Sequence, residues 1–342
     1  MNAFGHAFRL SILGESHGAC VGVLVDGCPA GLSLSADDFK ADMERRRGGG
    51  APGTTPRRED DTALIQTGLL DGRTTGAPLL VLFENKNTDS SSYEAIRNTP
   101  RPGHADWVAL KKFGGFADMR GSGHFSGRLT AALVAAGVVA KKLLGDVTIT
   151  ARLLEAGGKA DIERAIQEAM AAGDSVGGIV ECRVQGLPVG LGEPFFDSVE
   201  SLLAHAAFAI PAIKGIEFGD GFAACRQRGS QVNDAILDMA GRTASNHAGG
   251  INGGITNGNE LVFRVGVKPT ASIKAAQQTL DLRTQEPATL KVGGRHDACI
   301  ALRVPVVLEA VTAAVLADLM LREGRIPRVL GSGPAGGRSV PG

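Results

Sequence analysis

The sequence predicts a layered protein of mixed helix and strand, α/β or α+β, and three observations lead there. Segments of helical periodicity alternate with short β-branched runs along the 342 residues. Hydrophobic residues make up 43% of the chain, enough for a sizeable core. Glycine is in excess: 48 residues, about 14% against a usual ~7%, with no G-X-Y period. A real core is therefore threaded by many turns and close backbone approaches. At ~150 residues per domain the length allows two domains. No linker interrupts residues 1–325, however, and no repeat recurs at a fixed period.

Taken in order, residues 7–13 and 21–25 read as strands joined by the turn GESHGA. Ser35 and Asp38 form a capping-box pattern opening a helix that ends in Arg45, Arg46 and Arg47. GGGAPGTTP (48–56) has no regular period and reads as a mobile loop, with Arg57 and Arg58 on its far flank. A strand at 77–83 leads into the polar loop ENKNTDSSS. Helices are expected at 126–144, 161–171, 197–207 and 306–322, with strands at 147–153, 178–184, 261–267 and 300–304 between them. The composition of GSGPAGGRSVPG predicts a flexible tail, placing a catalytic domain at 1–324 and the tail at 325–342.

Composition excludes several classes. Lys+Arg and Asp+Glu both number 36, so there is no general electrostatic footprint for nucleic acid or a membrane surface. Cys20, Cys28, Cys182, Cys225 and Cys299 are widely spaced, with no C-x-x-C, which favours reduced thiols over disulfides or a metal site. Glu15, Ser16 and His17 break any signal-peptide pattern, and the apolar run at 129–140 is too short for a span of ~20 residues. A soluble, cytoplasmic protein is expected.

GESHG matches the G-x-S-x-G elbow of serine hydrolases, which needs a helix after it; the following ACVGVLVDG reads as a strand. Neither a P-loop nor G-x-G-x-x-G occurs. Three histidines lie in glycine-framed loops: His17 in GESHG, His104 in RPGHAD and His296 in GGRHD. In RPGH, Pro and Gly at the central positions demand a type II turn, bringing Arg101 beside His104. That guanidinium disfavours a protonated imidazole unless an anion lies between them. A turn histidine bonding its own loop is an equally good account of this motif alone. In GRHD, strand alternation would place Arg295 and Asp297 on one side and His296 on the other. Of the three consecutive helical arginines, one is expected to face a site. The glycine-dense NHAGGINGGITNGN leads through a strand to VKPTASI, where Lys268, Thr270 and Ser272 suit a phosphate.

Together, GESHG, RPGHAD, SNHAGGINGGITNG, KPTASI and GRHD resemble, in order and spacing, the chorismate synthase family. VGLGEPFFD and IPAIKGIEFGDGF resemble its intervening segments, and the likeness runs from about residue 8 to 321. It implies an α+β fold, a single-domain β-α-β sandwich, assembled as a homotetramer. The implied activity is 1,4-anti elimination of phosphate from 5-enolpyruvylshikimate-3-phosphate to chorismate, in the shikimate route to aromatic amino acids. Reduced FMN is required without net redox change.

Carried over position by position, His17 resembles the acid for the departing phosphate, and His104 the histidine that protonates or stabilises reduced flavin. Asp297 resembles the carboxylate that works with flavin N5 to remove the C6 proton. Arg46, Arg101, Arg128 and Arg295 match substrate-binding positions. His124, Phe125, Ser126, Pro211, Ala212, Gly253, Lys268, Pro269, Thr270, Ala271, Ser272 and Arg295 match FMN-binding positions; no metal is implied. The chain departs from the family where GGGRSSARET is usual and GSGHFSGRLT stands here. His124 and Phe125 replace an Arg–Ser pair and Leu129 a glutamate, so one fixed positive charge is lost or made titratable. A nicotinamide-linked arginine usual near Pro52 is absent. NADPH is thus expected to act only indirectly, through a separate flavin reductase. A flavin oxidoreductase and a non-enzymatic flavin- or phosphate-binding scaffold are the competing readings.

Overall fold

Two antiparallel sheets face each other across a layer of helices in the computed structural model, which describes residues 2–49, 52–55, 57, 59–293 and 296–331. The chain opens with β1 (Ala3–Phe4), β2 (Arg9–Gly14) and β3 (Cys20–Asp26), then helix α1 (Lys40–Arg46). β4 (Leu64–Thr67), the hairpin β5 (Leu69–Leu70) and β6 (Arg73–Thr74), and β7 (Leu79–Glu84) follow. Short helices α2 (Ser91–Ala95) and α3 (Asp106–Lys112) precede the long α4 (Thr130–Leu144). The second half runs β8 (Thr148–Ala156), α5 (Ile162–Ala171), β9 (Gly178–Gln185), α6 (Val199–Ala207), β10 (Ile213–Phe218) and α7 (Gly229–Val232). The hairpin β11 (Ile251–Asn252) and β12 (Ile255–Thr256), then β13 (Leu261–Val267), the hairpin β14 (Gln277–Leu280) and β15 (Pro287–Leu290), and α8 (Val304–Arg322) complete it.

One sheet has the order β1-β2-β3-β7-β4 and the other β10-β13-β9-β8, with every pairing antiparallel. α4 packs on β2, β3 and β7, α8 packs on β8 and β9, and the two helices pack on each other. Antiparallel sheets with helices gathered on one face of each decide for α+β over α/β. Alternation along the strands supplies the faces: Val21, Val23 and Val25 of β3 are fully buried, as are Val81 and Phe83 of β7. Gly137 on α4 lets that helix approach α8 closely, since a Cβ there would stand 2.3 Å from the Ala310 Cβ.

α8 is apolar around most of its circumference because both neighbours bury it. With the preceding turn it forms the helix 300–322, long and apolar enough to cross a membrane but mostly buried in the fold. It is a longer apolar stretch than the run at 129–140. Its buried polar residues are each satisfied. Asp318 Oδ1 accepts the N–H groups of His6, Ala7 and Phe8 at 2.9, 2.6 and 2.8 Å. Glu309 accepts bonds from Arg45 at 2.7 Å, Lys141 at 3.0 Å and the Ala151 N–H at 3.0 Å.

Three expectations are corrected. Residues 300–304 are not a strand: a 3-10 turn (Ile300–Arg303) runs into α8, where Pro305 in the first turn fits a helix start. A short apolar run carries too little period to separate the two states. The tail does not begin at 325: Ile326 is buried, and Ala30 pairs with the backbone of Arg328 and Leu330. The rest of that segment, 332–342, lies outside the described residues. The loop at 48–56 is irregular as expected but tethered where described, with Gly53 O accepting the Ala298 N–H at 2.7 Å.

Candidate active site

A cleft of about 440 Å³ opens where the loops of the two sheets meet the ends of α1, α4 and α8. Its lining is built from segments far apart in sequence. α1 delivers Arg46, buried at 3% exposure, and the chain turns extended at Arg47 (φ −63°, ψ 140°). Arg46 and Arg47 therefore both line the cleft, while Arg45 turns to Glu309. The expectation of a single contributor fails because Arg47 has already left the helix.

Asp61, fully buried and at a positive φ of 51°, bridges Arg46 Nη2 at 2.6 Å and Arg128 Nη1. Burial pushes its carboxyl up, but the two guanidinium groups outweigh that and hold it below its usual range. Burial pushes Arg46 down to about 10, so it remains a cation at neutral pH. Arg128 is fixed further by Asn85 Oδ1 at 2.9 Å and Glu84 O at 3.2 Å. Arg57, on the far flank of the tethered loop, pairs with Glu59 at 2.7 Å and donates to Ser16 Oγ at 3.1 Å.

GESHG is a hairpin turn between β2 and β3, with Gly14 paired to Val21; the strand after it excludes the hydrolase elbow. His17 bonds Ser90 Oγ through Nδ1 at 2.8 Å and meets the Tyr93 ring edge-on at 5.5 Å. It is not in the cleft lining itself but stands behind Tyr93 and Gly121, which are. Burial, then Arg57 and Arg120, lower its pKa.

The RPGH turn forms as read: Gly103 has φ +68° and the His104 N–H donates to Arg101 O at 3.2 Å. The anion that this motif left open is Asp106, within the same RPGHAD run. Its Oδ1 lies 2.7 Å from His104 Nδ1, and its two oxygens take Arg101 Nη2 and Nε, each at 2.8 Å. Arg101 also reaches Ser272 Oγ at 3.0 Å and Ser122 Oγ at 3.1 Å.

His296 and Asp297 both line the cleft, contrary to the alternating faces expected of a strand, because this segment is irregular. Asp297 is held by Arg303 Nη1 at 3.1 Å and the Thr55 N–H at 2.9 Å. Burial lowers the pKa of His296. Arg295 lies outside the described residues, as does Arg58. Phe125, Ser126, Pro211, Ala212 and residues 268–272 line the cleft. His124 does not; it donates from Nδ1 to Gly14 O at 2.8 Å and borders a second, more apolar cavity with Leu129. Gly253 sits in the β11–β12 turn, outside this lining.

Asp61, Asp106, Ser90, Tyr93 and Arg303 were not singled out from sequence. Only Asp106 carried a signal, its place two residues from His104 in a quoted motif; the others arrive through tertiary contact.

Fold and site define an enzyme for a small molecule, with cations, imidazoles and a carboxylate converging on one cleft. The chorismate synthase family pattern matches residues 8–321. Chorismate synthase of Chitinophaga pinensis is 62% identical over 330 residues, covering 96% of this chain and 99% of that protein. That of Dehalococcoides mccartyi is 47% identical over 360 residues, with 96% and 99% covered. A solved structure described as "Crystal Structure of Chorismate Synthase" superposes with a TM-score of 0.71 at 27% identity, covering 94% of this chain and 93% of that one. The chain belongs to the chorismate synthase family, lyases of aromatic biosynthesis.

Proposed function

We propose that this chain converts 5-enolpyruvylshikimate-3-phosphate to chorismate by 1,4-anti elimination of phosphate and a proton, using reduced FMN without net redox change. One observation carries the reading. A net-neutral chain gathers Arg46, Arg47, Arg57, Arg101, Arg128 and Lys268 around one cleft that also holds His104 and Asp297. A substrate bearing a phosphate and carboxylates requires that concentration of donors.

The residues present fit a flavin phosphate as well as a substrate. Arg46 Nε and Arg47 Nε are buried without a hydrogen-bond partner among the described residues. Ile210, Pro211 and Ala212 stand with residues 268–272 along the lining, offering apolar surface beside Lys268 and the hydroxyls of Thr270 and Ser272. These residues would hold FMN; reduced flavin supplies electron density that stabilises charge developing on the substrate.

The chain's own groups divide the remaining work. Arg46 and Arg128, held in place by Asp61, bind anionic oxygens, and Arg101 offers the Nη1 hydrogen that its bond to Ser272 does not use among the described residues. His17 gives a proton to the departing phosphate. Burial and then Arg57 lower its pKa in the free protein; a phosphate dianion offsets the Arg57 contribution, so arrival of its substrate favours the charged ring. Asp297, oriented by Arg303 and the Thr55 N–H, accepts the proton leaving carbon.

Nearly full exposure of Phe116, Phe195, Phe196 and Met239 supports assembly into a homotetramer. The enzyme is read as cytoplasmic and as receiving its reduced flavin from a separate reductase. Anaerobic incubation with photoreduced FMN and the enolpyruvyl substrate tests the reading. Chorismate absorbance with phosphate release and no matching flavin oxidation supports it. Flavin oxidation matched to product favours an oxidoreductase, and tight flavin binding without turnover a scaffold.

A further inference from the structure

Asp106 touches two groups of the site and lies outside the cleft lining. Its carboxylate accepts the Arg101 backbone N–H at 3.0 Å, Arg101 Nε and Nη2, and approaches His104 Nδ1 at 2.7 Å. The position of one proton follows from these contacts. Arg101 Nη2 carries two hydrogens and has three groups within reach, Asp106 Oδ1 at 2.8 Å, Ser122 Oγ at 3.1 Å and His104 Nδ1 at 3.1 Å. The shortest contact of His104 Nδ1 is with Asp106 Oδ1. A carboxylate oxygen 2.7 Å from an unprotonated imidazole nitrogen would set two lone pairs against each other. Nδ1 therefore carries a proton and donates it to Asp106.

We infer that Asp106 is a positioning residue for His104: it fixes the Nδ1–H tautomer and turns the opposite ring edge, with Nε2, to the cleft. In the neutral ring Nε2 is then an acceptor, and once charged it is the donor facing the ligands. Asp106 also locks Arg101, so one carboxylate sets the geometry of an anion-binding group and of a proton-carrying group together. Burial pushes the Asp106 carboxyl up, but Arg101 and His104 hold it well below its usual range, so it stays ionised throughout the neutral region. His17 is anchored differently. Its Nδ1 meets the Ser90 hydroxyl, which can donate or accept and imposes no tautomer.

This inference rests on the proposed function for its kinetic consequence but not for its structural one, and two measurements separate them. The first is nitrogen NMR of the full chain labelled with ¹⁵N-histidine, at pH 8, with His104→Gln to assign the resonance. The wild type is expected to show a protonated Nδ1 and an unprotonated Nε2 at His104. Asp106→Asn is expected to lose that preference and Asp106→Glu to keep it. A His104 Nδ1 without a proton in the wild type, or an unchanged tautomer in Asp106→Asn, overturns the inference. If Asp106→Asn does not fold, the wild-type and Asp106→Glu spectra still decide.

The second measurement is steady-state kinetics. Asp106→Asn should lower kcat by about 10²-fold, the range of a misdirected proton-transfer group, a larger change than the rise in KM that comes from loosening Arg101. Asp106→Glu should recover part of the loss. An equal rise in KM with kcat unchanged would mean that Asp106 only holds Arg101 for binding, and overturns the role at His104. Should the wild type form no chorismate while the tautomer behaves as described, the proposed function fails and the positioning role stands.

Discussion

At the scale of single residues the site is a set of carboxylates holding cations in place. Asp61 splays Arg46 and Arg128, Glu59 steers Arg57, and Asp106 aligns Arg101 with His104. Each pair is partly or wholly buried, so its geometry is far more restricted than that of a surface ion pair. His17→Ala and Asp297→Ala are expected to reduce turnover by about 10²- to 10⁴-fold while FMN binding changes little. Near-wild-type rates for both would remove the assigned roles. Titration gives a finer test of His17. Burial is the largest cause of its lowered pKa and Arg57 the next, so Arg57→Ala should raise the NMR midpoint without restoring the ordinary value of 6.5. A midpoint that falls or stays would show that Arg57 does not act on this ring. The sign for stability follows: the stabilisation linked to His17 is complete above about pH 6.5 and is lost as pH falls through the lower folded value.

At the scale of elements, the crossing of α4 and α8 sets the separation of the two sheets and hence the cleft at the helix ends. Gly137 lies where the two helices approach closely. Gly→Ala in a helix ordinarily gains up to about 1 kcal/mol in propensity. Here the new Cβ would fall 2.3 Å from the Ala310 Cβ and 2.4 Å from its Cα, where backbone must move. Overpacking of that kind costs about 1–3 kcal/mol, so Gly137→Ala should destabilise on balance, measured by urea unfolding. A stabilised variant would show that the helices part freely. The same close packing explains what periodicity found and missed. The helices at 126–144, 161–171, 197–207 and 306–322 were visible because each keeps its apolar pattern for several turns. β10, with IKGIEF, was not, because a half-buried strand interrupted by glycine has little pattern to read. RPGH was legible to the level of its turn type because proline and glycine restrict the backbone locally.

At the scale of the whole molecule, the phenylalanines at 116, 195 and 196 are nearly fully exposed, and the proposed assembly would cover them. Sedimentation equilibrium is expected to return four times the 35.2 kDa chain mass, and a monomer at micromolar concentration would refute the tetramer. Local sequence, by itself, determined the long helices, the glycine turns, the RPGH geometry and, through motif order, the family. Those are properties that neighbouring residues impose on one another through periodicity and backbone restriction. Only the tertiary structure decided which charges meet. Asp61 reaches Arg128 across 67 positions, Thr55 reaches Asp297 across 242, and Arg47 enters the cleft by leaving its helix. Such contacts depend on how two sheets close over a helical layer, and no local periodicity encodes that distance. The neutral net charge likewise concealed a strongly cationic cleft, because folding sorts charges that composition only counts.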